Sequence, residues 1–299
     1  MKLLVTGSNG FLAGSVIAQV PTHITLHGLC RNKLEKSSID IVHHAFDLTD
    51  FNTLEEIIHS IRPDSIIHTA AISNIDTCET NKIIAEQVNV DVTRQLAQLA
   101  NDIDCKLIFC STDSIFDGIH GFYTEEDIPH AVNVYAATKI KAEQIVLKAN
   151  KKNAVARFSL IVGLPVINAG NSFLSTLIDK IKKGDDIQLP SNEIRTPIDV
   201  ITAGKALLEL AENDFSGIIH LGGNTSLTRY ELGLEIASIF NFPKHKILPI
   251  NSNSMPGRAP RPNNASLDNS KAKQYLETPM LSIIDGLTLS LNFKLPEDE

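Results

Sequence analysis

Tyr135 and Lys139 stand four positions apart in the stretch Tyr135-Ala136-Ala137-Thr138-Lys139. On a helix that spacing brings both side chains to one face, a turn apart. A free phenol titrates at about pH 10, too high for ready proton exchange at neutral pH, and an adjacent ammonium stabilises the phenolate and lowers that value. The pair therefore reads as a tuned acid, with Tyr135 giving the proton and Lys139 tuning it. Taken alone the spacing arises by chance. Here it follows a strand-like run that ends in Cys110-Ser111-Thr112-Asp113. Ligands of doubly wound sheets bind at the carboxyl ends of the strands, so Thr112 is expected to hydrogen-bond a substrate oxygen.

A second constellation opens the chain. The apolar run Lys2 to Thr6 gives way to Gly7-Ser8-Asn9-Gly10 and then to a helical stretch. A strand, a glycine turn and a helix start present backbone N–H groups and the positive end of a helix to a pyrophosphate. The glycines let the phosphates approach where a β-carbon would block them. Ala13, followed by Gly14, stands where the usual third glycine falls and is small enough for close helix–strand packing. The second strand ends in Gly28-Leu29-Cys30-Arg31-Asn32-Lys33, where an NAD enzyme usually carries an acid for the ribose diol. Arg31, with Asn32 beside it, is suited instead to a 2′-phosphate, so NADP (as NADPH) is expected over NAD. Asp47 and Leu48, after the third strand, are expected near the adenine.

These residues need elements that hold them, and the chain supplies an alternation of strand-length apolar runs with amphipathic helices. Strands are expected at 2–6, 24–30, 39–45, 64–68, 106–110 and 154–160, with helices at 10–20, 54–61, 81–100 and 134–149. The fold class that follows is α/β, a doubly wound parallel sheet. After Gly163 the order loosens into helices at 172–183, 200–211 and 229–240, with short strands at Ile187 and 217–221. The expected organisation is a dinucleotide-binding domain over 1–163, with return elements near 196–222, and a smaller interleaved substrate region over 164–299. Ser252 to Asn264, rich in proline, asparagine and serine, reads as an extended loop.

Composition excludes several classes. The 299 residues suffice for a large core, and with 43% hydrophobic and 21% charged residues neither a disordered tail nor a membrane span is suggested. The formal charge of −8 offers no attraction to nucleic acid. Cys30, Cys78, Cys105 and Cys110 lack paired spacing and fall mostly in apolar runs, so buried reduced thiols and a cytoplasmic setting are expected.

The stretches TGSNGFLAG, HTAA at 68–71, Asn89, STDSIFDG at 111–118 and YAATK together resemble the extended short-chain dehydrogenase/reductase superfamily. ISNIDTCE at 72–79, the acidic EED, RTPIDV at 195–200 and APRPNNASLDNSK at 259–271 resemble its dTDP-4-dehydrorhamnose reductase (RmlD-like) branch. The resemblance implies a Rossmann sheet and an NADPH hydride delivered to a keto group of a nucleotide-linked deoxysugar. It implies that Tyr135 protonates the forming alkoxide, Lys139 holds the nicotinamide ribose, and Thr112 binds the carbonyl oxygen. Gly7, Asn9, Gly10, Phe11 and Leu12 would cradle the phosphates, and Ala70 and Ala71 would line the cofactor path. Ser73, Asn74, Ile75, Thr112 and Asp113 would face a small-molecule substrate, and a homodimer is compatible with the pattern. The chain departs from the branch at Ser114, where tyrosine is common, and at Leu160, where tryptophan is common, which weakens the aromatic platform for a sugar ring. An epimerase or dehydratase uses the same tyrosine and lysine. A further branch, the regulatory partner of methionine adenosyltransferase, keeps the fold and cofactor site without catalysis.

Overall fold

The computed structural model describes residues 1–32, 39–167, 172–252 and 255–295. Lys33, expected at the end of the second strand's loop, lies outside them. In chain order the strands are β1 Lys2–Thr6, β2 Thr25–Cys30, β3 Val42–Ala45, β4 Ser65–His68, β5 Lys106–Thr112, β6 Ala154–Phe158, β7 Ile161–Val162, β8 Ile187–Pro190, β9 Ile194–Arg195, β10 Ile198–Asp199, β11 Gly217–Leu221, β12 Leu227–Thr228 and β13 Ile247–Ile250. The helices are α1 Phe11–Ala18, α2 Phe51–Ile61, α3 Ile75–Thr80, α4 Lys82–Glu86, α5 Val92–Asp102, α6 Val134–Ala149, α7 Phe173–Lys182, α8 Val200–Glu212, α9 Arg229–Ile239, α10 Ser270–Tyr275 and α11 Ile283–Asn292.

Seven strands form one sheet in the order β11-β6-β5-β4-β1-β2-β3, with every pairing parallel. The α/β doubly wound reading therefore holds. The order reverses between β1 and β4, and that reversal opens the crevice in which such sheets bind ligands. Because strand side chains alternate, Leu3, Val5, Ile67 and Ile108 pack on one face with α1 and α8, while Leu4, Ile66, Leu107 and Phe109 pack on the other with α2, α5 and α6. Leu174, Leu177, Leu189, Leu232 and Leu287 belong to a third core beyond the strand ends, built from α7, β8, α9 and α11.

Two elements differ from the sequence reading for identifiable reasons. The single helix expected over 81–100 is α4, a π-helical turn Gln87–Asp91 and α5 in succession. That wide turn lies where the Asn89 amide reaches out to bond the backbone of Ile72 at 2.8 Å. Strand β3 is shorter than 39–45, beginning at Val42. Helices α3, α10 and α11 and strand β13 were not anticipated. The six residues of α3 are polar apart from Ile75 and Cys78, too few apolar positions for a helical stripe, and the element is started by its cap, Asn74, whose Oδ1 accepts from Thr77 N at 2.8 Å. Among the described residues no helix is long and apolar enough to cross a membrane.

Helices α1 and α8 pack closely through Gly204. Ser15 Oγ donates to the Val200 carbonyl at 2.6 Å and Gln19 Nε2 to that of Ile201 at 3.1 Å. A β-carbon at Gly204 would lie 2.6 Å from Ser15 Oγ and 2.9 Å from the Ser15 carbonyl carbon. Alanine gains about 1 kcal/mol of helix propensity over glycine, but overpacking a tight contact costs about 1–3 kcal/mol. Gly204→Ala is expected to lower stability by about 1 kcal/mol in urea denaturation; a rise in stability would mean that the two helices can separate without cost.

Candidate active site

The carboxyl end of β5 meets the first turns of α6. Asn133 caps that helix, its Oδ1 accepting from Ala136 N at 2.8 Å, while its Nδ2 donates to the Pro260 carbonyl at 2.9 Å. Tyr135 is 9% exposed and packs with Cys78, Ala85 and the flanking Ile72, Ile75 and Val134. Lys139, buried one turn on, donates from Nζ to the Cys110 carbonyl at 2.6 Å, 3.9 Å from the centroid of the Phe109 ring. The Thr112 hydroxyl neighbours the phenol of Tyr135 and accepts from Ser114 N at 3.1 Å. Thr112, Tyr135 and Lys139 thus converge.

The expected electrostatics of the pair need correction. Burial pushes the Tyr135 phenol above its ordinary range, and the neighbouring Thr112 hydroxyl only partly opposes it. The ammonium spends a donor on the Cys110 carbonyl. Burial lowers Lys139 to about 8, with Cys110 and then Glu143 acting the other way. The phenol is consequently a fully protonated donor at neutral pH.

Asp113 does not present a free carboxylate to substrate. It is 4% exposed and shared among Arg195 Nε at 3.3 Å, Ser159 Oγ at 3.1 Å and Ser114 Oγ at 3.2 Å, and burial raises its pKa. Ser73 and Asn74 are exposed beyond the carboxyl end of β4, with Asn74 serving as the α3 cap, while Ile75 packs near Tyr135.

At the glycine turn, Gly7 has φ +66°, and a β-carbon there would sit 3.0 Å from the Ala70 Cα. Thr69 Oγ1 donates to the Thr6 carbonyl at 2.6 Å and Ala70 N to Thr6 Oγ1 at 3.2 Å, so the Ala70 and Ala71 loop lies against the turn. Gly10 caps α1 without a side-chain hydrogen bond, and the first turn, starting at Phe11 and Leu12, carries no acid, which leaves its N–H groups and positive end uncompensated. Asn9 Nδ2 donates to the Asn32 carbonyl at 2.6 Å, and its buried Oδ1 has no partner, an acceptor that a ribose hydroxyl would satisfy. Exposed Arg31 lies close enough to Asp47 to help hold that carboxylate low, although Thr49 does more, through its N–H at 2.9 Å and its hydroxyl at 2.7 Å. Asp47 is thus a turn residue, and Leu48 packs on the second core. These features fit a dinucleotide with phosphate on its adenosine ribose. All four cysteines are free and buried, as expected.

Three partnerships at the site carried no assigned role at the level of sequence. Asp76 accepts from both terminal nitrogens of Arg261, at 2.8 and 2.7 Å, and from Ala259 N at 2.8 Å, and these bonds hold its carboxyl down at about 2. Glu193 pairs with Arg258. Asn89 holds Ile72 N at 2.8 Å, the Ile72 carbonyl at 3.1 Å and Thr138 Oγ1 at 3.1 Å. Asn89 stood out only as part of a motif, and the arginines only by their sequence neighbours.

A family model described as the RmlD substrate binding domain matches residues 1–292. Methionine adenosyltransferase 2 subunit beta of Pongo abelii is 32% identical over 279 residues, covering 90% of this chain and 81% of that protein. The "Probable low-salt glycan biosynthesis reductase Agl14" of Haloferax volcanii is 27% identical over 289 residues, 96% of each. Among solved structures, a hypothetical dTDP-4-dehydrorhamnose reductase from Sulfolobus tokodaii is 31% identical, with a TM-score of 0.83 over 96% of this chain and 99% of that one. The dTDP-4-dehydrorhamnose reductase of Bacillus anthracis in complex with NADP shares the fold, with a TM-score of 0.85 over 97% and 98% of the chains at 24% identity.

Replacing Asn89 by leucine removes all three amide bonds and strands the buried Ile72 groups and Thr138. An unpaired buried polar group costs about 1–3 kcal/mol. Asn89→Leu is expected to lose about 2–4 kcal/mol of unfolding free energy by chemical denaturation, and a loss below about 0.5 kcal/mol would mean that the loop at Ile72 is held by other contacts.

Proposed function

The chain belongs to the RmlD substrate binding domain family, and from that premise we propose that it is an NADPH-dependent reductase of a keto group on a nucleotide-linked deoxysugar. The observation that carries this reading is the meeting of the Thr112 hydroxyl, the Tyr135 phenol and the Lys139 ammonium where β5 ends. NADPH supplies the hydride. Tyr135 gives its proton to the carbonyl oxygen as that oxygen becomes an alkoxide, and Thr112 hydrogen-bonds the same oxygen. A phenol kept protonated by burial suits this reductive direction, since oxidation would need the phenolate as base. Lys139 retains N–H donors beyond the one held by Cys110, enough to engage a ribose as well.

The substrate class rests on a cavity of about 180 Å³ lined by Ser252, Arg258, Ala259, Pro260 and Arg261. Each guanidinium carries five donors, so the pairs with Glu193 and Asp76 leave N–H groups for the oxygens of a diphosphate. The cavity's own wall, Pro260, is bonded to the cap of α6, the helix that bears Tyr135, and this tie supports the reading of a substrate held there.

A second reading is favoured by the relatives named methionine adenosyltransferase 2 subunit beta: an NADP-binding subunit that serves another enzyme. Thr112, Tyr135 and Lys139, all present and converging, support the reductase in preference to it.

Tyr135→Phe removes the proton donor and little else. With NADPH and a panel of nucleotide ketosugars, it is expected to lower kcat by about 100-fold or more while NADPH affinity stays within about 2-fold; equal turnover by mutant and native protein would remove Tyr135 from the chemistry. Arg31→Ala is expected to weaken NADPH binding about 10-fold or more and leave NADH unchanged, the loss expected for one charge-assisted contact. Equal losses for both dinucleotides would place the arginine away from the 2′-phosphate.

A further inference from the structure

Helix α6 carries a third buried ionisable side chain on the face of Tyr135 and Lys139. Glu143, one turn beyond Lys139, is 3% exposed. It accepts a short hydrogen bond from Ser111 Oγ on β5. On its other side Arg157 of β6 donates from Nε at 3.1 Å and from Nη2 at 2.8 Å. Arg157 Nη1 lies 3.3 Å from His220 Nε2, whose Nδ1 meets the Tyr123 carbonyl at 3.0 Å, the pattern of a neutral imidazole donating at one nitrogen and accepting at the other. Two successive residues of β5 are thereby bonded to two successive turns of α6, Cys110 to Lys139 and Ser111 to Glu143, and the next strand residue, Thr112, neighbours Tyr135 one turn earlier on the helix.

We propose that Glu143 is a positioning residue of the site: it fastens the end of β5 to the helix that bears Tyr135, and it is the countercharge that keeps Lys139 an ammonium. The groups facing Lys139 are Tyr135 and Glu143 on its own helix, Cys110 on β5, His68 on β4 and Cys78 on α3. Burial drives His68 down to about 3 and Cys110 up to about 12, raises Cys78 and raises Tyr135, so all four are neutral at pH 7. Glu143 is the one carboxyl group among those facing Lys139, and it is ion-paired with Arg157. A buried ammonium otherwise held by a carbonyl and an aromatic ring would lose its proton more readily without it. The alternative is an ion pair that merely joins α6 to β6 and leaves Lys139 indifferent.

The consequence for turnover rests on the reductase reading, but the test does not need it. Protein labelled with 13C at lysine Cε is titrated without ligand by NMR, the Lys139 signal being assigned through Lys139→Arg. In the native protein Lys139 is expected to titrate at about 8. Glu143→Gln is expected to move that midpoint down by about 1 unit or more, as loss of a charge a helical turn away requires. Ser111→Ala, which keeps the charge, should leave the midpoint in place. Since Glu143→Gln strands Arg157, the double variant Glu143→Leu/Arg157→Met, which replaces both ions by apolar groups, decides the matter if the single variant does not fold; it should shift the midpoint in the same direction. A native midpoint in either folded variant would overturn the proposal, whereas failure to bind NADPH with the midpoint shifted would count against the reductase reading alone.

Discussion

Taking an ammonium out of water is the constraint around which the rest of the structure is arranged. Lys139 is 3% exposed, and an ion so placed persists only when polar groups replace its hydration. The Cys110 carbonyl at 2.6 Å and the face of Phe109 at 3.9 Å do part of this. Both belong to β5, so the charge can be buried only when β5 and α6 are in one register. That same register brings Thr112 to Tyr135. The sheet order enforces it further, because β5 lies between β4 and β6 and can neither slide nor tilt without breaking both ladders.

The remaining walls of the site come from chain far away in sequence. Asp76 and Arg261 are joined across 185 positions, and Asn133 and Pro260 across 127. The loop after Ser252 is therefore tied at one side to α3 and at the other to the cap of α6. Such ties make the position of the arginine-lined cavity depend on the same helix that carries the phenol. Opposite them, Asn89 holds the Ile72 backbone to α6 through Thr138. These loops and the helix that carries Tyr135 share one frame.

Much of that frame was legible in the sequence because it is written in local signals. The alternation of apolar runs and amphipathic stretches yielded the parallel sheet, and Gly7 to Gly10 marked the turn after β1 from four residues. The Tyr135 and Lys139 spacing announced the helix face. What escaped is non-local or depends on burial. The family resemblance implied that Asp113 faces substrate, yet Arg195 and Ser159, distant in sequence, take up its carboxylate. The pairing of Asp76 with Arg261 leaves no periodicity to read. The direction of the Tyr135 shift was misjudged because spacing reports which groups are near and says nothing of how much water remains around them. Helix α3 was missed because six residues, most of them polar and held by one cap, look like loop.

The central claim is that this frame passes a hydride from nicotinamide to a sugar carbonyl. It is tested most directly by incubating the protein with NADPH dideuterated at nicotinamide C4 and a set of nucleotide-linked 4-ketosugars, and weighing the products by mass spectrometry. The account predicts a reduced sugar carrying a single deuterium on the former carbonyl carbon. Tight binding of NADPH with no deuterium in any product across the set would contradict it and favour the non-catalytic subunit.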